Sequence, residues 1–347
     1  MKSIILKCVS LIAFSVTPIV VYMASIPPLA HGTFAGRNGK IVFTGASGDV
    51  FTMNPDGSDL NQLTFFSANA GATCCATWSP DGRQIVFGAQ PNGTPVSQLW
   101  IMNSDGTNQR ALLSEDSFFD YFPSFSPDGT HVVFTRCQLP AFHCSIYRIE
   151  TNGSGLTALT QYDPNPDVND FVPAYSPDGA TIAFDSFTRG GVIAAIYLMN
   201  ADGSNIRQLT PAAIEGVNPD WSPDGTTIAF WNNISDPLLS QICTIHADGT
   251  GLTLLTNPKN VHDSQPSWSP QQNAIVFERD NTSFTASAIN VITANGSGQN
   301  LSLQSPGSKS AFVTPKDRFL AKKRSGKGLQ AAILNSGFFP RWGPQPQ

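Results

Sequence analysis

The chain has 347 residues, of which only 13% are charged, with 29 Gly, 26 Pro and a net charge of −5 from 20 basic and 25 acidic side chains. That balance fits an exported all-β protein rich in turns. Residues 31–303 hold ten basic and 24 acidic residues, net −14, which argues against nucleic-acid binding and suits a cationic partner, a metal ion or plain solubility.

Taken in chain order, residues 1–30 read as a leader. Lys2 and Lys7 precede a mostly apolar stretch from Cys8 to Ala24, the pattern of a secretory signal, with Ala24, Ser25 and Ala30 as candidate cleavage positions. An uncleaved N-terminal anchor is the competing reading. The apolar run is short and broken by Ser10, Ser15, Thr17 and Pro18, which favours export to the periplasm or beyond.

From Ile41-Val42-Phe43 onward a unit repeats. Its clearest copies are Trp78-Ser79-Pro80-Asp81-Gly82, Phe125-Ser126-Pro127-Asp128-Gly129, Tyr175-Ser176-Pro177-Asp178-Gly179 and Trp221-Ser222-Pro223-Asp224-Gly225, and a fifth, Trp268-Ser269-Pro270, lacks the Asp-Gly. Each leads to a β-rich run ending in Phe, and Phe43, Phe87, Phe134, Phe184, Phe230 and Phe277 are spaced by 44, 47, 50, 46 and 47 residues. Each unit reads as four strands: an aromatic strand, a Pro-Asp-Gly hairpin, an Ile/Val-x-Phe strand, an aromatic-aliphatic strand such as Leu99–Met102, a second hairpin such as Asn103-Ser104-Asp105-Gly106, and a short strand ending in Leu-Thr. Six such units predict an all-β, six-bladed β-propeller of four-stranded antiparallel blades. The first unit lacks its aromatic strand, and Phe339-Pro340-Arg341-Trp342-Gly343-Pro344 supplies a spare one, so the C-terminal strand is expected to close the ring and remove its open edge.

The Trp-Ser-Pro-Asp-Gly unit with its Met-Asn-x-Asp-Gly-Ser hairpin and Leu-Thr resembles the WD-like repeat of TolB-like propellers. The resemblance covers residues 36 to 303 and the C-terminal strand, so the propeller is expected over 36–347. The blades start almost directly after the leader, which leaves no room there for the N-terminal α/β domain of TolB itself. Between Leu303 and Trp342 the pattern breaks, and residues 304–335 form a basic insertion with Lys309, Lys316, Arg318, Lys322, Lys323, Arg324 and Lys327. It reads as a solvated loop or eroded repeat, or else as a partner- or membrane-contacting arm.

No nucleophile elbow, phosphate loop or metal-ligand spacing among His31, His131, His143, His246 and His262 is present, so no catalytic residues and no cofactor are expected. One constellation stands out. Asp120, Asp170 and Asp263 each lie three residues before the Pro of an innermost strand, with His262 and Glu215 adjacent to equivalent positions. Innermost strands line the central channel, so these residues gather at one rim, where they could bind a divalent cation or a basic peptide. The plainer alternative is that each Asp caps its own loop. Cys137 and Cys144 flank a six-residue loop and are the disulfide candidates of an exported chain. Together these features read as a monomeric, non-catalytic exported scaffold for a protein or peptide partner, with membrane contact only through the leader or the basic insertion. The alternatives are a metal-dependent channel enzyme such as a polysaccharide lyase, which some related propellers resemble, or a module working with a separately encoded hydrolase.

Overall fold

The computed structural model describes residues 38–344 apart from 46, 67–70, 92–93, 95, 142, 162–167, 188, 192–193, 234–238, 273, 282–286, 297–300 and 305–339. The leader and residues 305–335 of the basic insertion thus lie outside the described residues. Among the described residues no helix is long and apolar enough to cross a membrane.

The first blade holds β1 (Asn38–Thr44), β2 (Val50–Met53) and β3 (Asn61–Gln62), and the second β4 (Ala72–Trp78), β5 (Gln84–Gln90), β6 (Gln98–Asn103) and β7 (Arg110–Leu113). The third holds β8 (Phe118–Phe125), β9 (His131–Gln138), β10 (His143–Glu150) and β11 (Thr157–Ala158), and the fourth β12 (Asn169–Tyr175), β13 (Thr181–Phe187), β14 (Ala194–Asn200) and β15 (Arg207–Gln208). The fifth comprises β16 (Gly216–Trp221), β17 (Thr227–Asn233), β18 (Ser240–His246) and β19 (Thr253–Leu254), and the sixth β20 (Val261–Trp268), β21 (Ala274–Asn281), β22 (Ser287–Thr293) and β23 (Leu301–Gln304). The last strand, β24 (Arg341–Pro344), returns to pair antiparallel with β1, placing Trp342 opposite Ile41 and Arg341 opposite Val42. The C-terminus therefore supplies the first blade's innermost strand and closes the ring.

The repeated motifs now have physical reasons. In each Ser-Pro-Asp-Gly turn the Ser hydroxyl donates to the Asp carboxylate, at 2.6 Å for Ser79–Asp81, and the N–H two residues after the Asp donates to the same oxygen. Gly82, Gly129, Gly179 and Gly225 take φ of 68° to 73°, which a side chain would strain. The sixth blade lacks that Gly, and Gln272 takes its place at φ 59°. The Leu-Thr signature ends a fourth strand of only two residues. The hydroxyls of Thr64, Thr160, Thr210 and Thr256 accept the N–H of Val50, Ile146, Ile196 and Ile242, at 2.9 to 3.1 Å, and so satisfy buried donors that the short strand leaves. Where Leu112-Leu113 replaces Leu-Thr, the strand runs on and Leu113 pairs with Leu99 instead.

The apolar core lies in the seams between blades. Ala183, Ile196, Leu198 and Leu209 of the fourth blade pack on Trp221, Ile228, Phe230 and Ile245 of the fifth. At the closing seam Ile41, Phe43 and Trp342 meet Ala274, Val276 and Ile289 of the sixth. The repeated Phe is fully buried in five copies and 6% exposed at Phe43.

Candidate partner-binding channel

The innermost strands are β24, β4, β8, β12, β16 and β20, and five of them carry the same irregularity. The register shifts between Cys74 and Thr77, Tyr121 and Ser124, Phe171 and Ala174, Val217 and Asp220, and Ser264 and Ser267. At each bulge one non-glycine residue takes positive φ: Cys75 (60°), Phe122 (54°), Val172 (47°), Asn218 (54°) and Gln265 (56°). This conformation is costly for a bulky or β-branched side chain. At two of the five, the neighbouring blade accepts the bulge residue's N–H. Thr135 Oγ1 accepts the Val172 N–H at 3.0 Å, and Asp185 Oδ1 accepts the Asn218 N–H at 3.1 Å.

The bulges form a belt around the innermost strands, here called the waist. Cys75, Phe122 and Val172 contribute an apolar arc, whereas the Asn218 carboxamide donates to Gln265 Oε1 across the next seam. A cavity of about 30 Å³ lies toward the hairpin end, walled by Trp78, Phe122, Phe125 and Trp342 with Arg341 and Asp220.

The three predicted rim carboxylates sit on the other side of the waist, at equivalent places in β8, β12 and β20. They are not open to solvent: Asp120, Asp170 and Asp263 are at most 1% exposed. Each is bound to an arginine of its own blade. Arg136 donates to Asp120 through Nε at 2.9 Å and Nη2 at 3.3 Å, and Arg279 forks onto Asp263 at 2.5 and 2.7 Å. Asp170 accepts from Ser186 Oγ at 2.6 Å and from Arg189 Nη2 at 2.7 Å. Each carboxylate thus spends its charge on an arginine rather than on solvent or on its own loop. Burial outweighs the Arg136 guanidinium and lifts the Asp120 carboxyl to about 7.

Two of the three arginines reach solvent, and Arg136 also pairs with the more exposed Glu115 at 3.4 Å. Arg189 and Arg279 side chains are 21% and 24% exposed, while Arg136 is 3% exposed and lies 4.1 Å over the Phe118 ring. Sequence reading missed all three, although a signal was present. Arg136 and Arg279 stand two residues after the repeated Phe, directly across the hairpin from Asp120 and Asp263.

His262 is buried at the seam between the fifth and sixth blades, its Nδ1 3.2 Å from Ser240 Oγ. Glu215 is half-buried just before β16. The fifth blade has Gly216 where the third, fourth and sixth have Asp, and a Cβ there would come within 2.9 Å of Ile196. Among the described residues no cluster of three or more His, Cys, Asp or Glu could hold a metal. Cys137 and Cys144 face each other across β9 and β10 with Cα atoms 4.0 Å apart and form a disulfide. Cys74, Cys75 and Cys243 are buried thiols, and burial pushes Cys243 up to about 12.

Comparison with known proteins places this geometry. The family model described as the TolB beta propeller domain matches residues 107–312. An uncharacterized protein, Atu1656, of Agrobacterium fabrum is 30% identical over 94 residues, which span 27% of this chain and 30% of that protein. The crystal structure of TolB from Acinetobacter baumannii superposes with a TM-score of 0.67 at 18% identity, covering 91% of this chain and 68% of that one. Oligogalacturonate lyase from Vibrio parahaemolyticus superposes at 0.53 with 16% identity, covering 84% and 82%. At these identities the solved structures speak for the fold alone.

Proposed function

Because the chain belongs to the TolB β-propeller family, we propose that it is a non-catalytic scaffold that binds a protein or peptide partner at the channel mouth, outside the cytoplasm. The leader supports export. The observation that carries the binding reading is the rim itself, where three blades each use a buried carboxylate to fix a guanidinium, two of them partly exposed. A guanidinium held in this way keeps unused donors at fixed angles and loses little entropy when a partner's carbonyl or carboxylate arrives. The rim therefore meets its partner through arginine forks, with Asp120, Asp170 and Asp263 orienting them from behind.

The test is in-cell crosslinking of the tagged full chain, followed by purification and identification of what is attached. Arg189→Lys and Arg279→Lys keep the charge that each buried Asp needs and remove the fork. One dominant protein, recovered at least about tenfold less from the double variant, supports the proposal. Equal recovery from both, or no attached protein at all, overturns it.

A further inference from the structure

We propose that Asp185 is a neutral carboxylic acid in the native ring, a proton-binding site in the seam between the fourth and fifth blades that makes this seam sensitive to pH. Asp185 lies on β13, 1% exposed, opposite Phe171 of β12 and Ile196 of β14. Its Oδ1 accepts the Asn218 N–H from β16 of the next blade at 3.1 Å. Its Oδ2 is buried with no donor among the described residues, and so is Oδ1 of the same Asn218. A buried carboxylate that accepts one hydrogen bond and leaves its second oxygen without a donor is poorly suited to carry charge, and a proton on Asp185 removes that charge.

The charges nearby point the same way. On β12, Asp170 adds negative potential to the site, and Arg189, just beyond β13, is committed to Asp170 at 2.7 Å and to Ser186 at 3.2 Å. On β14 the ionisable group is Tyr197, which donates to the Arg189 carbonyl. On β16 it is Asp220, whose Oδ2 accepts the Trp268 N–H at 2.7 Å. Gln265 of β20, reached through Asn218, is neutral. A buried carboxylate with no cation of its own takes up a proton rather than remain charged. Burial, with Asp170 adding to it, holds this carboxyl well above the ordinary carboxylate range.

The sign follows from linkage. Below about pH 4 both folded and unfolded chains carry the proton, and Asp185 costs nothing. Above that the unfolded chain releases it while the ring retains it, so the unfolding constant rises about tenfold per pH unit until the folded group also titrates. The experiment is urea unfolding of the full chain and of Asp185→Asn at pH 5, 6 and 7. Asn is isosteric, neutral and a donor, and other titrating groups cancel in the comparison. The expected result is that the variant gains steadily in relative unfolding constant from pH 5 to 7, by up to about 100-fold while the folded group keeps its proton. A ratio that stays flat, as for a carboxylate neutralised by a bound cation, overturns the proposal. Should the variant fail to fold, infrared spectroscopy of the Asp120→Asn chain at about pH 6 decides, because that chain lacks the Asp120 signal: a protonated-carboxyl stretch supports the site and its absence refutes it.

Discussion

Replacing Trp342 with Ala tests whether β24 closes the ring. Trp342 is 5% exposed and packs with Ile41, Phe43, Met53, Ala274, Val276 and Ile289, so it joins the first and sixth blades in one cluster. Beside it, Gly343 lies so close to the Trp78 indole that a Cβ would come within 2.4 Å, which ties the same strand to the second blade. Truncating a buried Trp to Ala costs about 3–5 kcal/mol through lost transfer energy and the cavity left behind. For a ring of this size each kcal/mol lowers Tm by about 2 °C, so the expected drop is about 6–10 °C. Thermal and urea unfolding of the full-length variant measure it, with Phe65→Ser as the control. Phe65 is 64% exposed, and its loss should stay within about 0.5 kcal/mol. Removing residues 337–347 should go further and leave β1 as an open edge that recruits other chains, read as aggregation by light scattering. A Tm within about 2 °C of wild type for Trp342→Ala would refute the reasoning, because a strand that closes a ring cannot lose its anchor so cheaply.

The other predictions concern the rim and the turns. Arg136→Met leaves the Asp120 carboxyl without its cation and should cost about 1–2 kcal/mol more in urea unfolding at pH 8 than at pH 5, where Asp120 carries a proton in both chains; Asp120→Asn in the same chain should remove that pH-dependent part. Because the folded Asp120 carboxyl titrates near 7, above its unfolded value of 3.8, its contribution is intact below pH 4 and is lost as pH rises through 7. Asp120→Asn alone should therefore gain on wild type across that window, by at most about 4 kcal/mol, as read from unfolding midpoints. Gly203→Ala puts a Cβ 2.4 Å from the Leu159 carbonyl oxygen at φ 88°, whereas Gly249→Ala meets nothing nearer than 3.6 Å at φ 89°. Both pay the left-handed strain of about 1–2 kcal/mol, and only the first adds a backbone clash, so it should lose the more stability in urea.

What was legible in the sequence was local. Pro-Asp-Gly needs only its own side chains to form a turn, and Leu-Thr acts within one blade, so period, strand count and closing strand could all be read directly. The bulges were not legible, because the local rule points the other way. Phe122, Val172, Asn218 and Gln265 each precede a proline, a position biased toward extended backbone, yet each takes positive φ. At Val172 and Asn218 the bulge N–H is accepted in the neighbouring blade, by Thr135 Oγ1 and Asp185 Oδ1, which no window along the chain contains. The rim carboxylates were located but their partners were not. Pairing Asp120 with Arg136 requires the hairpin register, and pairing Asp170 with Arg189 requires a residue beyond the end of β13.

The register also changes what the acidity of the blades means. Seven carboxylates, Asp56, Asp105, Asp128, Asp178, Asp202, Asp224 and Asp248, stand on the hairpin turns, and all are held below the ordinary carboxylate range. In six of them the main cause is a hydrogen bond from a Ser or Thr of the same turn; Asp224 falls to about 2 despite its partial burial, through Gln272, the Thr226 N–H and Ser222. This negative charge is a by-product of turn formation repeated around the ring, so it carries no information about a cationic ligand. Asp120, Asp170 and Asp263 are not turn formers, and they are buried against arginines at the mouth. The hairpin end of the propeller is therefore occupied with holding the repeat together. The proposed partner site is thus tested at the mouth, where the buried carboxylates hold arginines and not turns.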